Sequence, residues 1–599
     1  MCGFIGSISR DPISFSEFNK ANDYIICRGP DKNIFYNNEN KKFKNNLNKY
    51  FHFEFNRLSI LDLSADADQP MYSDSSDNLL MFNGEIYNHN ELRKDLESSG
   101  SIFRTNHSDT EVILNGVSRH GLKFVEKLNG QFAIFLLDST LNKGYLIRDR
   151  LGQKPLYYSL NNNKFIFSSN FLSINKVLNK TNINEVALNN YLNVGVVPGE
   201  KTVLDEIFEV LPSQILEIDL ETLKLTNSYN FWDIEKISDD KTFDEERFFS
   251  LFSDSVKIRE NADVPVAYFL SGGIDSTSIL QSAHESSNDE INTFSVIHEN
   301  TKYDESTWSG IASSMFKTNH NIQKMNEDIG IEIIHDSLNS LDQPYFDPSV
   351  VPSYILSKMI SRHYKVAISG DGGDELLCGY DRVIKTSSIA RRTNLANQIF
   401  NIYPAQLGTG NKFLRYSKNV EDSYWSFHED LKLMNLLKLK SDLSYRDTYM
   451  SSDSEISLKK LMITDYKFYL SQMMLFKVDR TSMANSLEVR SPFLDHRLIE
   501  NILSTNLDFI NHNEPKKIMK KYLSKNFETE FLTRKKQGFV FNVENWVYRN
   551  IKYIESELKG TIVYEYNKNI LHSLSLNKTR INGIRIWKLF VLSQFMKRI

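Results

Sequence analysis

The chain has 599 residues, long enough for roughly two to four domains that each bury a core of their own. Its 71 Lys and Arg against 76 Asp and Glu leave a net charge of −5, which argues against a general binder of nucleic-acid backbones, and three cysteines are too few for a disulfide framework or a cysteine zinc site. No apolar run reaches the ~18–20 residues of a membrane span, and MCGFIGSISRDP lacks the charged and apolar regions of a secretory leader; a soluble cytoplasmic protein with neither membrane nor nucleic-acid partners is expected.

In chain order, the first part is rich in short strands separated by Asn, Asp, Gly and Ser turns. Strands are predicted at 78–82 (NLLMF), 130–138 (GQFAIFLLD), 143–149 (KGYLIRD) and 164–169 (KFIFSS), because each is apolar or alternating over a strand's length. A helix is predicted at 88–99, with Asn88 as its cap and Leu92 and Leu96 four apart. The polar tract 37–49 reads as a solvated loop or hairpin tip. Around 216–245 the pattern loosens into a connection. Apolar strands at 264–270, 291–296 and 364–369 then alternate with helices, the sign of a parallel sheet covered on both faces, and from about 380 the chain is mostly helical. The expected organisation is a first domain over 2–215, a linker over 216–245 and a second domain over 246–599.

Cys2 follows the initiator methionine. Removal of that methionine leaves one residue carrying a thiol nucleophile and an α-amine of pKa ≈ 7.7–8.0 that can act as its base, although a cysteine near a terminus is more often a small hydrophobe. Downstream come RGPD (28–31), FNRLSILD (55–62), FNGEIYN (82–88) and HSDTEVI (107–113). Arg57 offers a bidentate cation for an amino acid's carboxylate, and Glu85 and Asp109 offer anions for its ammonium. Asn83 and the Gly84 N–H sit where they could hold the oxyanion formed when a thiolate attacks an amide. With MCGFIG, these motifs in this order resemble the class II glutamine amidotransferase domain over about 1–210. That resemblance implies an αββα N-terminal-nucleophile hydrolase fold and assigns glutamine binding to Arg57, Leu58, Ser59, Ile60, Leu61, Asn83, Gly84, Glu85 and Asp109. Two departures stand out: Cys27 where the family commonly has His before RGPD, and Asn170 in FSSN where it often shows a carboxylate in FASE.

In the second half, SGGIDS (271–276) follows an apolar strand and opens a helix. Gly272 and Gly273 let backbone N–H groups come close to an anion, Ser271 and Ser276 add hydroxyls, and the helix start favours negative charge. The loop is similar to the PP-loop of the ATP pyrophosphatase family, which splits ATP between the α and β phosphates. A second turn, SGDGGDE (369–375), follows another strand and could face the same crevice. The resemblance implies ATP contacts at Leu270, Val296, Ser369 and Gly370, Mg²⁺ at Asp275 and Asp374, activation of the acceptor at Asp371, and a lysine over the adenylate at Lys536 in TRKKQGF. Cys378 stands where that family usually has Gly, and NFETEF (526–531) where it often has Leu-Pro. Lys477, Asp479, Arg480, Glu488 and Arg490 lie among apolar residues, so they must be paired or bound to something; an ion-pair network behind the synthetase site and direct substrate contact are both open, and the first is the expectation.

Together the two halves resemble the glutamine-hydrolysing asparagine synthetase family, with an α/β parallel-sheet PP-loop domain and helical extension after the amidotransferase sandwich. The resemblance implies glutamine, aspartate and ATP as substrates and leaves a homodimer open. The same architecture serves other acceptors, such as a sugar uronate, and a catalytically dead homologue acting as a binding protein is the alternative from another class.

Overall fold

The computed structural model describes all residues except 1, 38–48, 74–77, 180–181, 288, 299–305, 326–328, 389–394, 416–419, 451–456, 508–513, 535–540 and 562–568. Most of the polar tract 37–49 and all of Lys536 therefore lie outside the described residues.

The N-terminal part holds two antiparallel sheets. One is built from β1 (Gly3–Ser9), β2 (Lys32–Asn37), β3 (Tyr50–Arg57), β8 (Tyr157–Leu160), β9 (Lys164–Ser168) and β10 (Phe208–Glu209), in the order β10-β8-β9-β1-β3-β2. The other comprises β4 (Met71–Tyr72), β5 (Asn78–Ile86), β6 (Gly130–Asp138), β7 (Lys143–Arg148), β11 (Gln214–Asp219) and β12 (Lys224–Asn230), in the order β12-β11-β7-β6-β5-β4. Alternation explains the layers. Phe4 and Ile8 of β1 enter the core between the sheets while Ile5 faces outward, and on β6 Phe135 and Leu137 face inward while Ile134 and Leu136 face outward. Phe135 of one sheet stacks on Phe167 of the other with ring centroids 3.9 Å apart. Helices Phe15–Asn22 and Phe171–Leu178 cover one outer face, and His89–Ser98 and Asp109–His120 the other, giving the αββα arrangement. Burial on both faces is why β5 and β6 read as continuous apolar runs.

The segment 216–245 differs from the expected connection. β11 completes the second sheet against β7, and β12 hairpins onto it, so the passage between domains is confined to about 231–244. β12 is exposed along its whole length; an edge strand with one solvated face carries too little apolar pattern to announce itself. Asp244 then caps the first helix of the second domain, Glu245–Arg259.

The second domain centres on a parallel sheet of β13 (Val266–Phe269), β14 (Asn292–His298), β15 (Asn319–Met325), β16 (Val366–Ile368) and β17 (Glu488–Arg490), in the order β15-β14-β13-β16-β17. The order reverses direction at β13, and the crevice between the carboxyl ends of β13 and β16 is the switch point where open α/β sheets bind ligands. A helical extension ends in Arg580–Met596, whose Trp587, Phe590 and Phe595 join the same buried cluster as Phe171 and Tyr191 of the first domain. Among the described residues, no helix is long and apolar enough to cross a membrane.

Candidate active sites and the interface between them

Cys2 is buried at the entry to β1, and its backbone N–H donates to Asn83 Oδ1 (3.1 Å) on β5. Burial pushes the thiol's pKa up; the Leu58 backbone N–H and the Arg57 charge pull against it. Asn83 is fully buried, and its Nδ2 has no acceptor among the described residues, a donor held ready beside the nucleophile. Next to it only glycine fits: a Cβ at Gly84 would lie 2.1 Å from the Gln131 carbonyl oxygen. Glu85 and Asp109 follow, both buried, and burial raises the pKa of each carboxyl. Asp109 accepts from the Ile86 N–H (3.0 Å), while Glu85 Oε1 is buried without a donor among the described residues. Arg57 is present, yet its guanidinium donates to the carbonyls of Asp62 and Ser64 and to Asp68 (2.8 Å), so it also shapes the loop over the pocket. Leu58 and Ile60 pack against Val366 and Met483 of the second domain. The Ser59 N–H donates to Asp31 of RGPD (2.7 Å), and Asp31 pairs with Lys365 (2.7 Å).

At the switch point, Ser271 follows β13 and helix Ile274–Ser286 begins within three residues. Gly272 takes φ +71°, and a Cβ there would meet the Ser309 nitrogen at 2.4 Å, so both conformation and space demand glycine. Ser271 and Ser276 hydroxyls lie 3.2 Å apart, and the Gly273 N–H donates to Ser271 Oγ (3.1 Å). The loop after β16 lies directly on this one: a Cβ on Gly373 would be 2.7 Å from Asp275 Cγ. Asp275 and Asp374 are bridged by the ammonium of Lys516, 2.6 Å from Asp374. Asp371 accepts from Ser369 Oγ (2.7 Å) and, through its carbonyl, from Ser491 Oγ. Leu270 is buried at the end of β13, its N–H donating to the Phe294 carbonyl (2.9 Å), and Val296 is half-buried on β14.

The two sites are joined by buried charge. Arg28 of RGPD donates through Nε to the Cys2 carbonyl (3.1 Å) and grips Asp479 with both terminal nitrogens (2.8 and 3.0 Å). Lys154 reaches the same carboxylate at 3.4 Å. Arg490 connects Glu85 (2.9 Å) to Glu488 (2.6 Å). Between them a cavity of about 20 Å³ is lined by Gln131, Gln153 and Lys154 of the first domain and by Asp371 and Asp479 of the second. Asp479, Arg480 and Arg490 are all paired, as expected, and Asp479 lines one cavity with Asp371, but the pairs are not confined to the second domain. They reach across to the first domain, Arg480 through the Tyr157 hydroxyl (2.6 Å), while Lys477 stays within its own domain on Ser349 (3.0 Å).

Comparison with known families fits this geometry. The glutamine amidotransferase domain matches residues 1–232, and asparagine synthase matches residues 247–561, more than half of the chain. The chain belongs to the asparagine synthase family. Among relatives, "Asparagine synthetase [glutamine-hydrolyzing] 1" of Bacillus subtilis is 29% identical over 99% of this chain and 96% of its own length. "Putative asparagine synthetase [glutamine-hydrolyzing] 2" of Methanocaldococcus jannaschii is 36% identical, covering 63% of this chain and 76% of its own. "Amidase chyE" of Penicillium rubens is 26% identical over 80% of this chain and 77% of its own.

As a member of the asparagine synthase family, the chain is a glutamine-dependent amidotransferase ligase that acts on small molecules and uses ATP. The structure places Cys2 against Asn83, with Gly84 and Glu85 next along β5 and Asp109 bonded to Ile86, and lays the loop carrying Ser369, Asp371 and Asp374 on the one carrying Asp275. Sequence reading missed Lys516, Lys154 and Arg28 as members of these sites. Lys516 lies in a lysine-rich run that reads as a solvated helix face, and the partner of Arg28 is 451 positions away. For Mg²⁺, the donor set fits: two adjacent carboxylates already share one cation, and magnesium is ordinarily held by one or two carboxylates with phosphate oxygens and water. Among the described residues, no group of three or more His, Cys, Asp or Glu is placed to hold a metal.

Proposed function

We propose that the chain converts aspartate to asparagine, with ATP as the activating agent and glutamine as the nitrogen source. The observation that supports this best is the cavity shared by Lys154, Asp479 and Asp371, because it lies between the thiol pocket and the strand ends that would hold ATP.

In this reading Met1 is removed, and the freed α-amine of Cys2, held by Asn83 Oδ1, takes the thiol proton. The thiolate attacks the glutamine side-chain amide; Asn83 Nδ2 and the Gly84 N–H hold the oxyanion, and ammonia leaves. Water then hydrolyses the thioester to glutamate. Arg57 takes the glutamine carboxylate, and Glu85 with Asp109 its ammonium. In the second site the Ser271–Ser276 loop, Leu270, Val296, Ser369 and Gly370 cradle ATP. The aspartate β-carboxylate attacks the α-phosphorus, forming β-aspartyl-AMP and releasing pyrophosphate. Asp275 and Asp374 would hold Mg²⁺, which when bound neutralises phosphate charge. Ammonia attacks the acyl carbon, AMP leaves, and Asp371 takes the surplus proton from the attacking nitrogen. Lys536 is assigned to the charge on the transferring phosphoryl group.

A second reading keeps this chemistry with another carboxylate acceptor, such as a sugar uronate. The departures at Cys27, Asn170 and Cys378 favour it, as does a relative named an amidase. The purified chain with glutamine, ATP, Mg²⁺ and aspartate tests both: asparagine and pyrophosphate in equal amounts support the first, and pyrophosphate released only with other carboxylates replaces it with the second. Cys2→Ala should abolish glutamine-dependent product while ammonium salt restores it, more effectively as pH rises and free ammonia grows. Retained glutamine use would remove Cys2 from the mechanism.

A further inference from the structure

A cavity of about 260 Å³ lies between the two domains, separate from both pockets described above. Its walls bring together Asp23, Cys27, Arg28 and Asn170 from the first domain with Arg480 and Arg598 from the second. Two of these residues, Cys27 and Asn170, are the departures from the amidotransferase pattern that the proposed chemistry leaves unused.

The charges on the wall are unequally satisfied. Arg28 is gripped by Asp479, and Arg480 donates to Asp342 (3.0 Å). Arg598 differs. One terminal nitrogen donates to the Asn339 carbonyl (3.1 Å), its Nε is buried with no acceptor, and it makes no ion pair among the described residues. Burial pushes its pKa down to about 10, and the Asp342 carboxylate on the same wall, already held by Arg480, offsets this only in part. The replaced positions supply none. The Cys27 thiol is pushed up by burial and stays protonated at neutral pH, and Asn170 is neutral. Asn170 Oδ1 accepts from the N–H groups of Leu172 (2.8 Å) and Ser173 (3.3 Å), which leaves its amide nitrogen to donate. A carboxylate at position 170 would place an anion on the same wall as Arg598. Asp23, exposed, likewise makes no ion pair among the described residues.

A guanidinium and an exposed carboxylate, neither in an ion pair among the described residues, on one small polar cavity match a zwitterion. We propose that this interdomain cavity binds a free α-amino acid, its carboxylate on Arg598 and Asn170 and its ammonium toward Asp23. The occupant would touch Arg28, the residue that holds both the Cys2 carbonyl and Asp479, so binding alters glutamine hydrolysis. That consequence rests on the role proposed for Cys2; the binding itself does not.

The test is thermal unfolding of the full chain titrated separately with glycine, L-alanine and L-asparagine, with acetate and methylamine as single-charge controls. The wild type should be stabilised by at least one of the amino acids, with half-saturation shifted tenfold or more in Arg598→Gln and in Asn170→Glu. Neither residue belongs to the machinery described above, so glutaminase activity without added effector should stay at the native level in both. Cys2→Ala should bind the amino acid as the wild type does, which keeps the cavity's test apart from that of the thiol. No stabilisation by any amino acid, equal half-saturation in both variants, or an equal response to acetate alone overturns the proposal.

Discussion

Glu375 is buried next to Asp374, and the two cannot both be ionised cheaply. Burial first, then the Asp374 charge, raises its pKa to about 8, well above the ordinary carboxylate range. The folded state therefore holds this proton over a range in which the unfolded chain has lost it. Its contribution to stability is present in full below about pH 4.5 and is lost progressively as pH rises toward about 8. Glu375→Gln should remove that dependence: little change in Tm at pH 5, and a Tm above that of the wild type at pH 8. Equal Tm differences at both pH values would mean that Glu375 is ionised in the fold. Cys378, in the same loop region, shows the opposite kind of tension. It is buried at φ +50°, in the left-handed region where the resemblance expects glycine, so the turn tolerates a side chain at the cost of backbone strain.

The loops after β13 and β16 form the working edge of the second domain, and Lys516 locks them together. Its ammonium between Asp275 and Asp374 sits where a divalent cation would act, so the lysine and the metal compete for one pair of carboxylates. Lys516→Gln leaves two largely buried carboxylates facing each other, with an expected loss of about 3 kcal/mol in the absence of metal. Added Mg²⁺ without ATP should then restore several degrees of Tm to the variant and raise the wild type far less; identical Mg²⁺ responses would separate Lys516 from the metal site. How much of these elements was legible depends on where their cause lies. β6 has the bounds predicted for it because two buried faces make one apolar run, and SGGIDS announces a strand–loop–helix by itself. Asn88 does precede its helix but does not cap it: its side chain bridges Lys127 and Asn129 instead, a tertiary choice that no local pattern encodes. The same holds for Lys516, whose role exists only once distant segments meet.

At the scale of the molecule, the domains are joined through two apolar clusters and through a set of buried ion pairs. Asp479 receives Arg28 and Lys154, with all three side chains nearly inaccessible, and those cations hold its pKa well below the usual carboxylate range despite burial. With its folded pKa depressed, Asp479 contributes stability that is present at neutral pH and lost as pH falls below about 4. Asp479→Asn leaves two buried cations without their shared anion, an expected cost of about 3–5 kcal/mol at pH 7 that shrinks in acid. The consequence for function follows from position. Arg28 fixes the Cys2 carbonyl, and Lys154 and Asp479 both line the cavity that Asp371 also lines. Loosening this joint should leave each half-reaction its own residues while breaking their stoichiometry. Under the proposed function, the variant should form more than one glutamate per amide, whereas the wild type stays near one to one. Ammonium-dependent synthesis, which needs no passage from Cys2, should fall less than glutamine-dependent synthesis. If the variant keeps a one-to-one ratio although its Tm has dropped, the buried pairs serve only to hold the domains together, and transfer between the sites runs by another path.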